Sequence, residues 1–456
     1  MNHSPARDWP APTLSESDPW NATVRVPGSK SLTNRYLLLA AVADGPSEIR
    51  GALDSRDSRL MRKALEALGA RFEDRDGLVM VSPLRGKPSR GESRGATPVS
   101  IDTGLAGTVM RFVPPLAAAL GVEAHFDGDP GARVRPMAPV IDAVRQMGAT
   151  VNDSGTGQLP FSLTPAGPGP ENTDETHDPR PRRISIDASG SSQFLSAILL
   201  VGSLIPNGLE IEHVGSGIPS MPHIDMTIAT LEEFGIGVDV LGPTSWRVRP
   251  GVPRAHDVVV EPDLSNAGPF LAAAVVTGQR VVIPDWPAST TQGGDEWRKI
   301  LPRFGAEVER DGNHLVVVGP RGGAWSGTMP GVDIDLSGAG ELAPTVAAIA
   351  ALSTGPSRLR GISHLRGHET DRLKALVTEI RRLGGSAKET EDGITIDAPV
   401  RQGGLVETYE DHRMATAAAI IGLVIPGVVV RNVDTTAKTL PGFTDMWSEM
   451  LGGRER

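Results

Sequence analysis

The feature that most constrains this chain is a unit repeated six times, in which an amphipathic helix runs into a Leu-Gly-Ala-like stop. The stops are Leu68-Gly69-Ala70, Met147-Gly148-Ala149, Phe234-Gly235-Ile236, Phe304-Gly305-Ala306, Leu383-Gly384-Gly385 and Leu451-Gly452-Gly453, with their glycines 68 to 87 residues apart. A glycine there ends a helix in the left-handed conformation at little steric cost. In five copies an alternating, valine-rich stretch follows. The first holds Phe72, Leu78 and Met80 and reads as a half-buried antiparallel strand pair. The spacing exceeds the ~20–50 residues of solenoid repeats. Six small α+β units, grouped into compact domains of an α/β chain, are the expectation.

Each repeat also holds a second helix candidate, at 30–43, 104–120, 190–204, 265–277, 340–352 and 411–423. These are rich in Ala, Leu and Ile almost all round, which predicts burial. Their polar residues crowd into the first turn: Lys30, Ser31 and Arg35; Thr108; Ser191, Ser192 and Gln193; Glu341; His412 and Arg413. Ordinary capping explains the serines. It does not explain Lys30, Arg35 and Arg413, because a cation in a first turn opposes the helix dipole. Free N–H groups at several helix starts, together with misplaced cations, point to a bound anion.

The last stop leaves no room for a strand pair, while 22–26 is a strand candidate belonging to no complete repeat. The economical solution brings the N-terminal strand to the later repeats. One domain is then discontinuous, 1–28 with 263–456, and the other, 29–262, is inserted. Two crossings side by side would make a hinge. The segments 84–97 and 171–183 read as surface loops.

A formal charge of −10 and an aromatic content of 4% argue against a nucleic-acid surface. The absence of cysteine excludes disulfides, thiolate catalysis and cysteine-held metals. Residues 1–21 are polar and lack the apolar core of a secretory signal, and no apolar run approaches the ~20 residues of a membrane span. A soluble, cytoplasmic chain is expected.

A second series of functional candidates sits in the loops before the amphipathic helices: Arg133 and Arg135, Ser220, Glu369 and Arg372, and Lys438. A lone surface cation is usually only solvated, but recurrence at equivalent loops is not. Pro27-Gly28-Ser29-Lys30-Ser31 lacks the spacing of a nucleotide phosphate loop. His364 and His368 beside Glu369 match neither zinc-helix order, and no metal site is expected.

The stretches PGSKSLTNR at 27–35, GLAGTVMR at 104–111, SSQF at 191–194, HETDR at 368–372, DHRMA at 411–415 and AKTLP at 437–441 resemble the 5-enolpyruvylshikimate-3-phosphate synthase family. The resemblance runs in order over nearly the whole chain. It implies two domains of three repeats each, with buried parallel helices, joined by two crossings. It also implies transfer of the enolpyruvyl group of phosphoenolpyruvate to the 5-hydroxyl of shikimate 3-phosphate, with release of phosphate and no cofactor. A monomer is expected.

Carried over by position, the resemblance places Lys30, Ser31, Arg35, Ser191, Ser192, Gln193, Ser220 and Glu341 around shikimate 3-phosphate. It places Lys30, Gly107, Arg135, Gln193, Arg372, Arg413 and Lys438 around phosphoenolpyruvate. Lys30, Glu341 and Glu369 are the implied catalytic groups, and Thr108, His368 and His412 are further candidates. Gly107 borders the pocket where glyphosate competes, so sensitivity to that inhibitor is expected. The chain departs from many relatives at Leu105, His223, His364 and His368, and carries Glu341 where many have aspartate.

Three alternatives remain. The sister transferase acting on UDP-N-acetylglucosamine usually has a catalytic cysteine, which is absent here. A non-catalytic anion-binding protein would not need Glu341 and Glu369. An RNA-end-processing enzyme of related fold is disfavoured by the acidic charge.

Overall fold

The computed structural model describes residues 7–84, 98–166 and 180–452. The segments 84–97 and 171–183, read above as surface loops, lie largely outside these residues, as does Gly453 of the last stop. Thirteen α-helices, numbered in chain order, occur among the described residues. The buried series is α1 (Lys30–Ala41), α3 (Gly107–Leu120), α6 (Ser192–Leu199), α8 (Leu264–Thr277), α10 (Ala343–Ala350) and α12 (His412–Gly422). The second series is α2 (Arg56–Ala67), α5 (Ala138–Gln146), α7 (Pro222–Glu233), α9 (Trp297–Ile300), α11 (Arg372–Arg382) and α13 (Phe443–Met450). A single turn, α4 (Pro130–Arg133), stands apart from both. All six stop glycines have positive φ, from 77° to 111°.

The sheets repeat with the helices. In the second repeat Val99–Asp102 and Ala124–Asp127 flank α3 in sequence and pair in parallel. The second of these pairs antiparallel with Phe161–Thr164, which also pairs with Thr150–Asn152. The third and fifth repeats build the same four-stranded order. Parallel neighbours need a crossover, and here the buried helix supplies it.

The chain divides into two compact units, one of Met1–Pro27 with Glu261–Arg456 and one of Gly28–Val260. Each has its own apolar core. In the inserted unit, Gly28–Val260, the first repeat takes its parallel edge strand from Val258–Val259, beside Ser47–Arg50. In the discontinuous unit the fourth repeat takes its edge strand from Asn21–Thr23, beside Arg280–Ile283. Each crossing segment thus gives its strand to a repeat other than the one whose buried helix follows it.

Two expectations need correction. The N-terminal strand is Asn21–Thr23 rather than 22–26, and it serves the fourth repeat. The sixth repeat is completed instead by Trp9–Pro10, antiparallel to Val428–Val430, which runs parallel to Gly404–Val406. Proline has no N–H to give a ladder, so such a strand belongs at an edge. Around it Ala11, Leu14 and Trp20 enter the core without any regular period, which hid them in a segment of polar average. The second correction concerns the fourth amphipathic helix. It is three short pieces, a 3-10 turn at Gly293–Glu296, α9, and a 3-10 turn at Leu301–Phe304. Pro302 cannot donate to a preceding carbonyl and restricts Leu301, which breaks the helix there. Among the described residues no helix is long and apolar enough to cross a membrane.

Candidate active site

Candidate residues occur in both units, and each group is built from its own unit's helix starts. In the inserted unit Ser29 caps α1, its hydroxyl accepting from Leu32 N–H, and Ser191 caps α6, accepting from Gln193 N–H. Capping is therefore done by residues just outside the helices. Lys30 and Ser31 in the first turn of α1 are partly exposed, and Ser192 in the first turn of α6 is buried. Lys30 Nζ lies 3.6 Å from a carboxylate oxygen of Asp57, which is buried in the first turn of α2. Ser192 Oγ is 3.4 Å from His223 Nδ1. Ser220 has a φ of 53°, and its carbonyl accepts from His223 N–H as α7 begins.

Arg35 is placed differently from a surface anion ligand, being only 1% exposed. Its guanidinium donates to Thr227 Oγ1, to the carbonyls of Ser31 and His223, and to Ser196 Oγ at 2.9–3.3 Å. It therefore ties α1 to the bodies of α6 and α7, near whose starts Ser191, Ser192 and Ser220 stand. Thr108 is also buried, accepting from Asn34 Nδ2 at 2.6 Å.

Gly107 opens α3 at a crowded point. A Cβ built on it would stand 3.1 Å from Gln193 Oε1 and 3.3 Å from a terminal nitrogen of Arg135. Gln193 Oε1 accepts from Arg111 at 2.6 Å, and Arg111 stacks 4.9 Å from the centre of the Phe194 ring. Arg135 is 5% exposed. It reaches the carbonyl of Leu105 at 3.4 Å, and its Nε has no hydrogen-bond partner among the described residues. A buried guanidinium with an unused donor is expensive unless an anion completes it.

In the discontinuous unit the acids and bases interlock. Arg413, in the first turn of α12, donates to Glu341 at 2.7 Å; Glu341 sits in the 3-10 turn Gly340–Leu342 before α10. Glu369 accepts from Arg372 at 3.0 Å through one oxygen and from Lys438 through the other. Arg372 also donates to both oxygens of Asp411, at 2.7 and 3.2 Å, and lies 3.2 Å from His368 Nδ1. Burial opposes the charge on Arg372, but Asp411 and then Glu369 overcome it and raise its pKa. The rings of His364 and His368 pack 5.8 Å apart, and His364 Nε2 would meet a Cβ on Gly340 at 2.5 Å. His412 is 3% exposed and directed into the unit, 3.8 Å from Asp411.

Three charged residues in these networks were not singled out from the sequence: Asp57, Arg111 and Asp411. Asp411 is wholly buried, caps α12 through Arg413 N–H and grips Arg372. Its signal was its place at the head of DHRMA, as Arg111 closes GLAGTVMR. Asp57 carried no local signal, since an acid in the first turn of an amphipathic helix is common.

A family model described as EPSP synthase (3-phosphoshikimate 1-carboxyvinyltransferase) matches residues 14–447. The chain belongs to the EPSP synthase family. It is 54% identical over 454 residues to a 3-phosphoshikimate 1-carboxyvinyltransferase of Kocuria rhizophila, covering 99% of this chain and 98% of the relative. The fold resembles that of an EPSP synthase from Acinetobacter baumannii, with a TM-score of 0.75 and 24% identity over 97% of each chain. It also resembles the enolpyruvyl transferase NikO from Streptomyces tendae, with a TM-score of 0.69 and 17% identity over 95% of each chain. At those identities the two solved structures speak to the mixed α/β fold alone.

Proposed function

We propose that this chain transfers the enolpyruvyl group of phosphoenolpyruvate to the 5-hydroxyl of shikimate 3-phosphate and releases phosphate, within aromatic amino acid biosynthesis. The observation that carries this reading is the full-length identity to the Kocuria transferase. The site chemistry is consistent with it. Two phosphates and a carboxylate need several cations, and forked guanidinium groups hold such anions in fixed geometry.

The inserted unit would take shikimate 3-phosphate through Ser31, Ser191, Ser192, Gln193 and Ser220, with Arg35 setting the frame that carries them. Arg135, Arg372, Arg413 and Lys438, with the space left at Gly107, would take phosphoenolpyruvate, and Lys30 would serve both. Substitution at a vinyl carbon needs a proton taken from the attacking hydroxyl and a proton moved on and off the neighbouring carbon. Glu341, exposed enough to meet substrate, suits the hydroxyl, and Glu369 suits the carbon. The reaction as written balances without a metal or organic cofactor, because phosphoenolpyruvate already carries the activated group.

Phosphate release, measured first with shikimate 3-phosphate and then with UDP-N-acetylglucosamine as acceptor, tests the reading. Release with the first acceptor alone is expected. Release only with the second would transfer the chain to the sister activity, and binding without release would leave an anion-binding protein.

A further inference from the structure

The segment 407–411 leads from the sixth repeat's sheet into α12 through a turn its own sequence disfavours. Tyr409 and Glu410 both have positive φ, 55° and 57°. Asp411 N–H donates to the carbonyl of Thr408 at 2.9 Å, as in a turn of type I′. Such turns draw on Gly, Asn and Asp, and a bulky residue in the left-handed region is an outlier. Strain of this kind persists only where the surroundings over-determine it.

The surroundings here are on α11. Glu379, 4% exposed, accepts from the Tyr409 hydroxyl at 2.6 Å through one oxygen and from Glu407 N–H at 3.2 Å through the other. Burial and the Glu379 carboxylate push the Tyr409 phenol up to about 12, so it remains a donor through the neutral range. Glu379 follows Arg372 by two helical turns and shares its face of α11. The segment is thus fixed to α11 at two points, by Glu379 at residues 407 and 409 and by Arg372 at Asp411.

We propose that Tyr409 is a positioning residue: its contact with Glu379 holds the left-handed turn that carries Asp411 to Arg372 and so aims the Arg372 guanidinium at its anion. The proposal rests on the reading above of Arg372 as a phosphoenolpyruvate ligand. A glycine would make the turn without strain but could not be anchored, which accounts for a tyrosine in so unfavourable a place.

Two variants test it. Tyr409→Phe removes the hydroxyl and keeps the ring, while Tyr409→Gly removes the hydroxyl and relieves the strain together. Both should raise KM for phosphoenolpyruvate about tenfold, with kcat changed by less than about threefold and the Kd for shikimate 3-phosphate unchanged. A merely structural role would lower Tm in Tyr409→Phe without this split. Independently of turnover, the Arg372 Nε–H resonance, protected by Asp411 in the unmodified protein, should exchange with solvent faster in both variants. Protection retained in both overturns the proposal, as does lost protection with KM for phosphoenolpyruvate within about twofold of the unmodified protein. Failure of the unmodified protein to turn over would count against the proposed reaction, and the exchange measurement would still decide whether Tyr409 positions Arg372.

Discussion

In the inserted unit the guanidinium groups of Arg35, Arg111 and Arg135 are held by hydroxyl, carbonyl and amide oxygens, whereas in the discontinuous unit Arg372, Arg413 and Lys438 are each held by a carboxylate. Neutral acceptors fix a cation without cancelling its charge. Carboxylates fix it and cancel it. On the proposed reading the inserted unit is then a preformed anion site, in which Arg35 and Arg111 brace the helix starts of α1, α3 and α6 and Arg135 keeps its charge for the ligand. On the same reading the second group would have to exchange partners for an anion, and two of the acids displaced, Glu341 and Glu369, are the ones proposed to move protons. Binding at the second group would thus free the acids for chemistry, which is how one arrangement can serve both recognition and proton transfer.

The largest expected effect tests Lys30, the candidate cation of the inserted unit that, unlike those three arginines, stands beside a carboxylate, 3.6 Å from Asp57. Lys30→Ala should nearly abolish turnover, since losing a charge-assisted contact costs about 1.5–3 kcal/mol and a transition-state role adds on the order of 10²–10³ in rate. Near-normal phosphate release would remove Lys30 from the catalytic groups. In the second group, Glu341→Gln keeps the shape but cannot accept a proton. Turnover should fall about 10²–10⁴-fold while binding of both substrates survives. An equal loss of shikimate 3-phosphate affinity, read by calorimetry, would make Glu341 a binding residue.

Gly107→Ala probes how tightly the first group is built. The new methyl would press on Gln193 and Arg135 at 3.1–3.3 Å, so these neighbours must yield by a few tenths of an ångström. Overpacking of this kind costs about 1–3 kcal/mol, and the longer glyphosate anion should suffer more than phosphoenolpyruvate. Inhibition titrations check this, and equal inhibitor constants for the two proteins would sink the idea. The smallest effect is a difference in first binding. Shikimate 3-phosphate, assigned to the helix starts of the inserted unit, should bind the ligand-free protein at least about tenfold, or ~1.4 kcal/mol, more tightly than phosphoenolpyruvate, whose ligands Arg372, Arg413 and Lys438 must first leave their carboxylates, with the gap narrowing as salt rises. Equal affinities at low salt would break the comparison between the two groups.

The legible parts of this chain were those governed by local rules. Six helix stops announced themselves because a left-handed terminus favours glycine, and the buried helices because apolar residues surround them. Lys30 and Arg413 at helix starts were visible because they contradict the dipole, whereas Arg35, read as a first-turn cation, lies in the second turn of α1 and is buried among its own partners. Harder to read was Trp9–Pro10, two residues too few to show a strand period, whose pairing partner Val428–Val430 lies at the other end of the sequence. Equally hidden was the break at Pro302, where a helical pattern of side chains survives a backbone that cannot stay helical.

The sequence by itself determined the repeat, the class of fold and the kind of ligand, since periodicity, glycine stops and misplaced charge are properties of neighbours along the chain. Only the tertiary structure decided how each charge is used. The resemblance places Arg35 and Arg135 alike beside an anion, yet one spends its donors on Thr227, Ser196 and two carbonyls while the other keeps a buried Nε unpaired among the described residues. Asp411 looks like a helix cap and is also the anchor of Arg372, 39 residues away. Partners of this kind meet only after the chain has folded, because hydrogen bonding and desolvation depend on distance in space, and sequence separation does not encode it.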